Sequence, residues 1–166
     1  MAAELTSEER HAHSEWLESN GAAGQRLDKS GANLEGVDLT GRTLEKAVFA
    51  GADLSNATLV GTDFSGADFT NATLSGADCD GGEFDGAVLN SARLDNVSFS
   101  GCQFDKASLV KASLVGARLQ AATFTGADLT GADFRNADLD GADFTGANQT
   151  GINLEGASTK DLRGLA

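Results

Sequence analysis

Apolar and polar residues alternate with a period of five from residue 27 to residue 161, with no insertion, deletion or proline. The middle position of almost every pentad is Leu or Phe, and all nine phenylalanines of the protein occupy it. Two positions earlier the residue is usually Ala, and the fifth position is most often Gly. A repeat this regular indicates that one backbone conformation is reused along the chain.

The five-residue period predicts a short extended segment followed by a bend. In extended chain, residues two apart share a face, so Ala and the middle Leu or Phe point inward. The polar residue between them points outward. The remaining two residues turn a corner, where Gly, or Asn as at Asn56 and Asn71, accepts a positive φ. A single pentad buries too little surface to be stable, so we expect the chain to coil and stack on itself.

The spacing of the large side chains predicts four pentads in each coil. Sampling the middle position every twenty residues gives one column of large apolar residues: Leu44, Phe64, Phe84, Phe104, Phe124 and Phe144. The twenty-seven pentads then form about seven coils, and a spacing of about 4.8 Å between coils gives a rod roughly 30 Å long. The sequence therefore predicts an all-β solenoid, a quadrilateral β-helix with this column in its core.

The repeats GADLSNATLVGTDFSGADFTNATLSGAD resemble those of the pentapeptide-repeat proteins, whose pattern is A(D/N)LXX. The resemblance covers residues 27–161 and implies that the β-helix is right-handed. It also implies two kinds of function. The best-understood members of that family imitate duplex DNA and bind DNA gyrase, protecting it from quinolones or peptide toxins, whereas most members have no assigned role.

The first 26 residues lack the repeat and predict one amphipathic α-helix, from Thr6 to Asn20. Thr6 and Glu9 have the spacing of a capping box at its start. Trp16 and Leu17 lie on its apolar side, and we expect them to cap the first coil. An uncovered coil would expose both core and strand edges to other chains.

The repeat weakens at the other end, where Gln149 and Thr159 take middle positions. Only residues 162–166 follow the last pentad, so little chain is left to cover the final coil. Either Leu162 and Leu165 fold across that coil and the protein is a monomer, or two molecules meet there tail to tail as a homodimer.

The formal net charge of −13 argues against direct binding to nucleic acid or to anionic membranes. A protein partner with a basic surface is the expectation instead. No apolar stretch approaches the ~20 residues needed to span a bilayer. The first residues also lack the charged and apolar regions of a signal peptide, so we expect a cytoplasmic protein.

Candidate catalytic and metal-binding residues are few. No Ser/His/Asp arrangement, phosphate-binding loop or metal-ligand spacing occurs, so we expect neither enzymatic activity nor a cofactor. His11 and His13 lie two apart on the predicted helix and point to different sides, which favours solvated side chains over a shared metal. Cys79 and Cys102 take inward positions and are expected to be buried free thiols, with a disulfide between them as the alternative.

The acidic residues are the surface feature with functional promise. Sorted by wall of the predicted rod, they make three of the four walls acidic and leave one wall nearly neutral. The densest group, called the acidic ridge from here on, turns one corner of the rod: Asp63, Asp78, Asp80, Glu83, Asp85 and Asp105.

Three hypotheses address this surface. Asp can belong to the repeat simply because it keeps an apolar rod soluble. Alternatively, carboxylates repeating every ~4.8 Å imitate phosphates spaced ~3.4 Å along a DNA strand, as a mimic that binds gyrase or topoisomerase IV would require. In the third hypothesis the rod docks an unrelated protein through its nearly neutral wall, which carries Val48, Val88 and Val110.

Overall fold

The computed structural model describes residues 4–166, which comprise one α-helix followed by a coil of β-bridges. Helix α1 spans Ser7–Glu18. The Thr6 hydroxyl accepts the Glu9 N–H at 3.1 Å, and the Glu9 carboxylate accepts the Thr6 N–H at 2.9 Å, so the predicted capping box is formed. The helix ends two residues earlier than predicted, because Asn20 and Gly21 both adopt a positive φ.

Every β-bridge in the coil is parallel and joins residues twenty positions apart, from Asp28–Val48 to Asp143–Arg163. Stacked positions are therefore four pentads apart. The last bridge includes Arg163, so the ladder continues two residues beyond Asp161, the predicted end of the repeat. The extended segments are too short to form longer strands, since each pentad contributes one bridging residue before the chain bends. The right-handed coil and the total of about seven coils stay predictions.

Backbone hydrogen bonds between coils follow one rule, which the pentad 52–56 illustrates. The Asp53 N–H donates to the preceding coil, at Ala32 O, 2.9 Å away. The Leu54 and Asn56 N–H groups donate to the following coil, at 2.7 and 3.1 Å. These bonds repeat along the rod and satisfy most buried backbone groups, which an all-β solenoid must do.

The corner positions have the backbone conformation that the sequence predicts. All the glycines at the fifth position that the structure describes have φ between 60° and 73°. The other corners have φ between 56° and 59° at Lys46, Asn56, Asn71, Ser91, Asn96, Lys106, Lys111, Ala121, Asn136 and Asp161. The corner geometry is thus imposed by the coil even on residues that disfavour it.

The middle residues and the alanines two positions earlier form a continuous core along the rod. Phe84 is fully buried between Phe64 and Phe104, with ring centroids 5.3 and 5.0 Å away. The column continues through Phe124, 4.9 Å from Phe104, to Phe144. Ring separations near the coil spacing show that each aromatic side chain packs directly on the one in the next coil.

The C-terminal end of the core is less covered than its middle. Leu154 and Leu162 are only partly buried, and Leu165 is 47% exposed. The Gln149 side chain reaches the last residues, donating to Gly164 O at 2.6 Å and accepting the Ala166 N–H at 3.1 Å. Among residues 4–166, no helix is long and apolar enough to cross a membrane.

Candidate protein-binding surface

The structure brings the acidic ridge together around one corner of the rod. Asp63 and Glu83 form a bridge in the same ladder, so their side chains leave the same wall in successive coils. Asp85 and Asp105 are stacked in the neighbouring column, where the Asp85 carboxylate accepts the Asp105 N–H at 2.9 Å. The remaining two members, Asp78 and Asp80, lie on the adjacent wall, across the corner at Gly81 and Gly82.

Most ridge carboxylates also have a structural role that the sequence analysis missed. In each pentad, the N–H of the residue after the middle position donates to no backbone carbonyl in the described part of the repeat. In most pentads an Asp or Asn side chain supplies the acceptor instead. Asp63 accepts the N–H of Ser65, two residues on, at 2.9 Å, and Asp80 accepts the N–H of Ser100, one coil on, at 2.9 Å.

Two sets of residues accept this N–H. The first set lies before the middle position and serves its own pentad: Asp28, Asn33, Asp38, Asp53, Asp63, Asp68, Asp78, Asp128, Asp133, Asp138, Asp143, Asn148 and Asn153. The second set lies after the middle position and serves the next coil: Asp80, Asp85, Asn90, Asp95, Asp105 and Asp140. The repeated Asp is therefore explained partly by hydrogen bonding. The signal was present in the sequence as Asp or Asn two residues before Ser or Thr, the pattern of an Asx turn.

This role leaves the charge of the ridge uncompensated. The Oδ1 atom of each ridge aspartate accepts a backbone N–H, and the Glu83 carboxylate makes no hydrogen bond within residues 4–166. The ion pairs of that part of the chain, such as Arg135–Asp133 and Arg163–Asp143, include no ridge residue. The ridge thus presents carboxylates that form no ion pair with any basic side chain within residues 4–166.

The nearly neutral wall does not form a continuous apolar patch. Val48 and Val88 lie in the same ladder but are separated by Asp68, which forms a bridge with each of them. Val110 lies in the neighbouring column, where its N–H donates to Asn90 at 3.0 Å. All three valines are half-buried.

The helical cap differs from the prediction in the residues that it buries. Trp16 and Leu17 are only half-buried, whereas His13 is 1% exposed and Leu5 is 5% exposed. The prediction that His13 is solvated was therefore wrong, because α1 turns this side chain toward the coil. Its Nδ1 atom accepts the Leu27 N–H at 3.1 Å. Leu5 lies directly before the N-cap. An apolar residue at that position was the feature of the sequence from which this additional contact with the core could have been predicted.

The two cysteines are free and buried. The Cys102 thiol donates to Cys79 O at 2.9 Å. Burial raises the pKa of the Cys102 thiol to about 12 and that of the Cys79 thiol well above its ordinary value. In residues 4–166, no cluster of His, Cys, Asp and Glu side chains is arranged to hold a metal ion.

A family model for pentapeptide repeats matches the chain in eight copies, within residues 32–71, 47–78, 67–104, 83–120 and 117–156. The chain belongs to the pentapeptide-repeat family. No curated protein sequence matches it.

Among solved structures, this pentapeptide-repeat protein is similar to HetL from the cyanobacterium Nostoc sp. strain PCC 7120, a protein involved in the regulation of heterocyst differentiation. The two are 29% identical over 83% of this chain and 72% of HetL, with a TM-score of 0.58. A protein of the Arabidopsis thaliana thylakoid lumen is 30% identical over 64% of this chain and 71% of its own, with a TM-score of 0.41. QnrB1, a plasmid-mediated fluoroquinolone resistance protein, is 18% identical over 76% of this chain and 71% of its own, with a TM-score of 0.40. The similarity to HetL, itself a pentapeptide-repeat protein, agrees with the solenoid fold described above.

Proposed function

We propose that this pentapeptide-repeat protein is a non-enzymatic rod that binds another protein through the acidic ridge, and that the partner presents a basic surface. The observation that carries the proposal is the absence of any ion pair to a ridge carboxylate within residues 4–166. A surface of unneutralised carboxylates attracts a basic partner over about a Debye length and accelerates its association. The proposal takes the rod to be right-handed, of about seven coils, and cytoplasmic.

The test is to neutralise the ridge without removing its hydrogen bonds. Asn can replace Asp as the acceptor, because Asn90 already accepts the N–H of Val110 in the same kind of site. The variant carries Asp78→Asn, Asp80→Asn, Glu83→Gln and Asp85→Asn. A matched control removes the same number of negative charges elsewhere on the rod. It carries Asp53→Asn, Asp68→Asn, Asp128→Asn and Asp138→Asn.

Partners captured from the source cells by the wild-type protein should be lost with the ridge variant and retained with the control. Their binding should weaken as salt is raised, since charge drives it. An equal loss of capture with both variants would show that only net charge matters. Capture that neither variant changes would refute the ridge as the binding surface.

A more specific candidate is the DNA mimic that binds gyrase or topoisomerase IV. The column Asp85–Asp105 and the ladder Asp63–Glu83 support it, because each repeats carboxylates along the rod at about 4.8 Å, near the ~3.4 Å phosphate spacing of one DNA strand. Purified protein should then inhibit gyrase supercoiling or relieve quinolone-stabilised cleavage, and the ridge variant should not. No effect on either enzyme at micromolar protein would reject the mimic and leave the more general interaction rod.

The wall of Val48, Val88 and Val110 is the competing docking surface. Its interruption by Asp68 makes it the weaker candidate. Substituting Asp for the three valines should leave partner capture unchanged if the ridge is the binding surface. Loss of capture in that variant alone would move the proposal to this wall.

The oligomeric state remains part of the proposal. The partly buried Leu154 and Leu162 and the exposed Leu165 leave apolar surface at the C-terminal end, which suits a tail-to-tail homodimer. The Gln149 contacts to Gly164 and Ala166 suit a monomer with a folded tail. Light scattering of the full chain, beside a Leu165→Glu variant, distinguishes the two.

A further inference from the structure

The junction between helix α1 and the first coil depends on one buried histidine. His13 is 1% exposed, and its Nδ1 atom accepts the N–H of Leu27, the first residue of the repeat, at 3.1 Å. An Nδ1 that accepts a hydrogen bond carries no proton, so the ring is neutral with its proton on Nε2. The Nε2 atom is buried and makes no hydrogen bond.

We propose that His13 is a protonation-sensitive latch that holds helix α1 on the first coil. When Nδ1 takes a proton from solvent, it becomes a donor facing the Leu27 donor, and the hydrogen bond between them is lost. The imidazolium would also be buried at a site where charge is poorly solvated. Protonation therefore favours the state in which the ring, and the helix that carries it, leaves the coil.

The other contacts of the cap are insensitive to mild acid. Gln25 N–H donates to Ala12 O at 2.9 Å, and Lys29 pairs with Glu9 at 2.7 Å. The hydrogen bond from Lys29 lowers the pKa of Glu9 below its ordinary 4.5, so this pair persists as the pH falls to 5. Leu5 adds an apolar contact to the core. These contacts stabilise the closed cap equally from pH 7 to pH 5, so the pH dependence of opening comes from His13.

Among the groups around the imidazole, the Arg26 guanidinium acts in the same direction as burial, and the Glu45 carbonyl opposes it. Burial lowers the pKa of His13, and the nearby Arg26 guanidinium lowers it further, whereas the backbone carbonyl of Glu45 raises it. Arg26 lies over the Trp16 ring, 5.9 Å from its centroid, and Trp16 stacks on His13 at the same separation. From the coil side, Asp28 stays ionised in mild acid because hydrogen bonds from Ser30 lower its pKa.

The sign of the pH dependence follows from the lowered pKa of His13. The contribution of the neutral ring to cap stability is fully present above the unfolded value of 6.5. It declines as the pH falls from that value toward the folded pKa, because the open state binds the proton and the closed state does not. In this window the opening equilibrium constant should rise about tenfold for each unit of pH.

Opening would have a consequence for association. The first coil would expose its backbone edge and the Leu27 side chain, which is 4% exposed in the closed state. Edges of this kind pair with other chains. The latch thus couples mild acidification to self-association through the N-terminal end of the rod, independently of the acidic ridge.

Hydrogen exchange on the full-length protein tests the latch. Protection factors of the Leu27 amide, measured at pH 7, 6 and 5, should fall once the pH is below about 6.5, by up to about tenfold per unit, while that of Phe84 in the middle of the rod stays constant. The variant His13→Asn places an amide oxygen near the position of Nδ1 and cannot titrate, so Leu27 protection should be lower but independent of pH. The exposed His11 supplies the control variant, His11→Asn, which should behave as wild type.

Constant Leu27 protection in the wild type from pH 7 to 5 would overturn the latch. So would an unchanged pH dependence in His13→Asn, or its loss in His11→Asn. If His13→Asn is open at every pH, the wild-type imidazole titration followed by NMR decides instead. A pKa of His13 below 6.5, with Trp16 fluorescence changing over the same pH range, supports the proposal, and an ordinary titration with no Trp16 change refutes it.

Discussion

The carboxylate of Asp80 accepts the backbone N–H of Ser100, twenty residues further along the chain, at 2.9 Å. The same oxygen accepts the hydroxyl of Ser98. One outward aspartate therefore joins two coils through a backbone group that has no other acceptor in the described repeat. Asn90 does the same with Ser108 and Val110, so the role depends on the acceptor oxygen and not on the charge.

The first prediction separates acceptor from charge at this site. Asp80→Ala should lower the free energy of unfolding by about 1–2 kcal/mol, because two donors lose their partner. Asp80→Asn should cost less than about 0.5 kcal/mol, since the amide oxygen replaces the carboxylate. Urea unfolding of the two variants checks this. Equal midpoints would show that the hydrogen bond does not matter to stability.

A second prediction concerns acid. Hydrogen bonds from the Ser55 hydroxyl and N–H hold the pKa of Asp53 below its ordinary 3.8, and those from Thr130 do the same for Asp128. The contribution of these two carboxylates to stability is fully present above their pKa in the unfolded chain. It is lost as the pH falls through their pKa in the folded protein. Stability should therefore fall below about pH 4, in a range separate from that of His13. The double variant Asp53→Asn, Asp128→Asn should lose less stability than wild type between pH 5 and pH 3, and an identical loss would contradict the assignment.

A third prediction concerns the Phe column. Phe84→Ala should destabilise the protein by ~3–5 kcal/mol, because the cavity lies between Phe64 and Phe104 in a thin core with little freedom to collapse. The half-buried Val88 is the control, and Val88→Ala should cost about 1 kcal/mol or less. Denaturant midpoints measure both. Similar midpoints for the two variants would show that Phe84 and Val88 do not differ in burial in the way that the structure indicates.

The corners yield a fourth prediction. Ala121 is exposed with φ of 56°, a conformation that costs an L-residue about 1–2 kcal/mol. Ala121→Gly should raise stability by about 0.5–1 kcal/mol, after the greater freedom of Gly in the unfolded chain is subtracted. The adjacent Ala122 is fully buried, and Ala122→Gly should instead lower stability by about 1 kcal/mol. Thermal unfolding of the pair checks the opposite signs, and a loss in both would refute the strain.

The fifth prediction concerns the thiols. Burial raises the pKa of both Cys79 and Cys102, so almost no thiolate forms at neutral pH. A disulfide-exchange reagent should modify neither cysteine in the native protein and both after unfolding in urea. Rapid modification of the native protein at pH 7 would show that the rod opens around these residues. Failure of both thiols to react after unfolding under non-reducing conditions would indicate a disulfide.

The sequence by itself determined the repeating part of the molecule. Each pentad meets the same surroundings as the pentad one coil away, so a local rule about inward and outward positions holds for the whole rod. Positive φ at Asn56 and at Gly51 follows from the period alone, as does the inward direction of Phe84. Membership of the pentapeptide-repeat family rests on the same regularity.

Tertiary structure decided what the period does not encode. Helical spacing alone could not say which side of α1 faces the coil, because the rotation of the helix depends on the shape of the coil end and on the close approach of Gly24, where a Cβ would lie 2.6 Å from Trp16 N. That packing buries His13 and leaves Trp16 half-exposed. The acceptor of the Ser100 N–H was equally hidden, since Asp80 lies a full coil away in sequence and becomes its neighbour only when the chain is stacked.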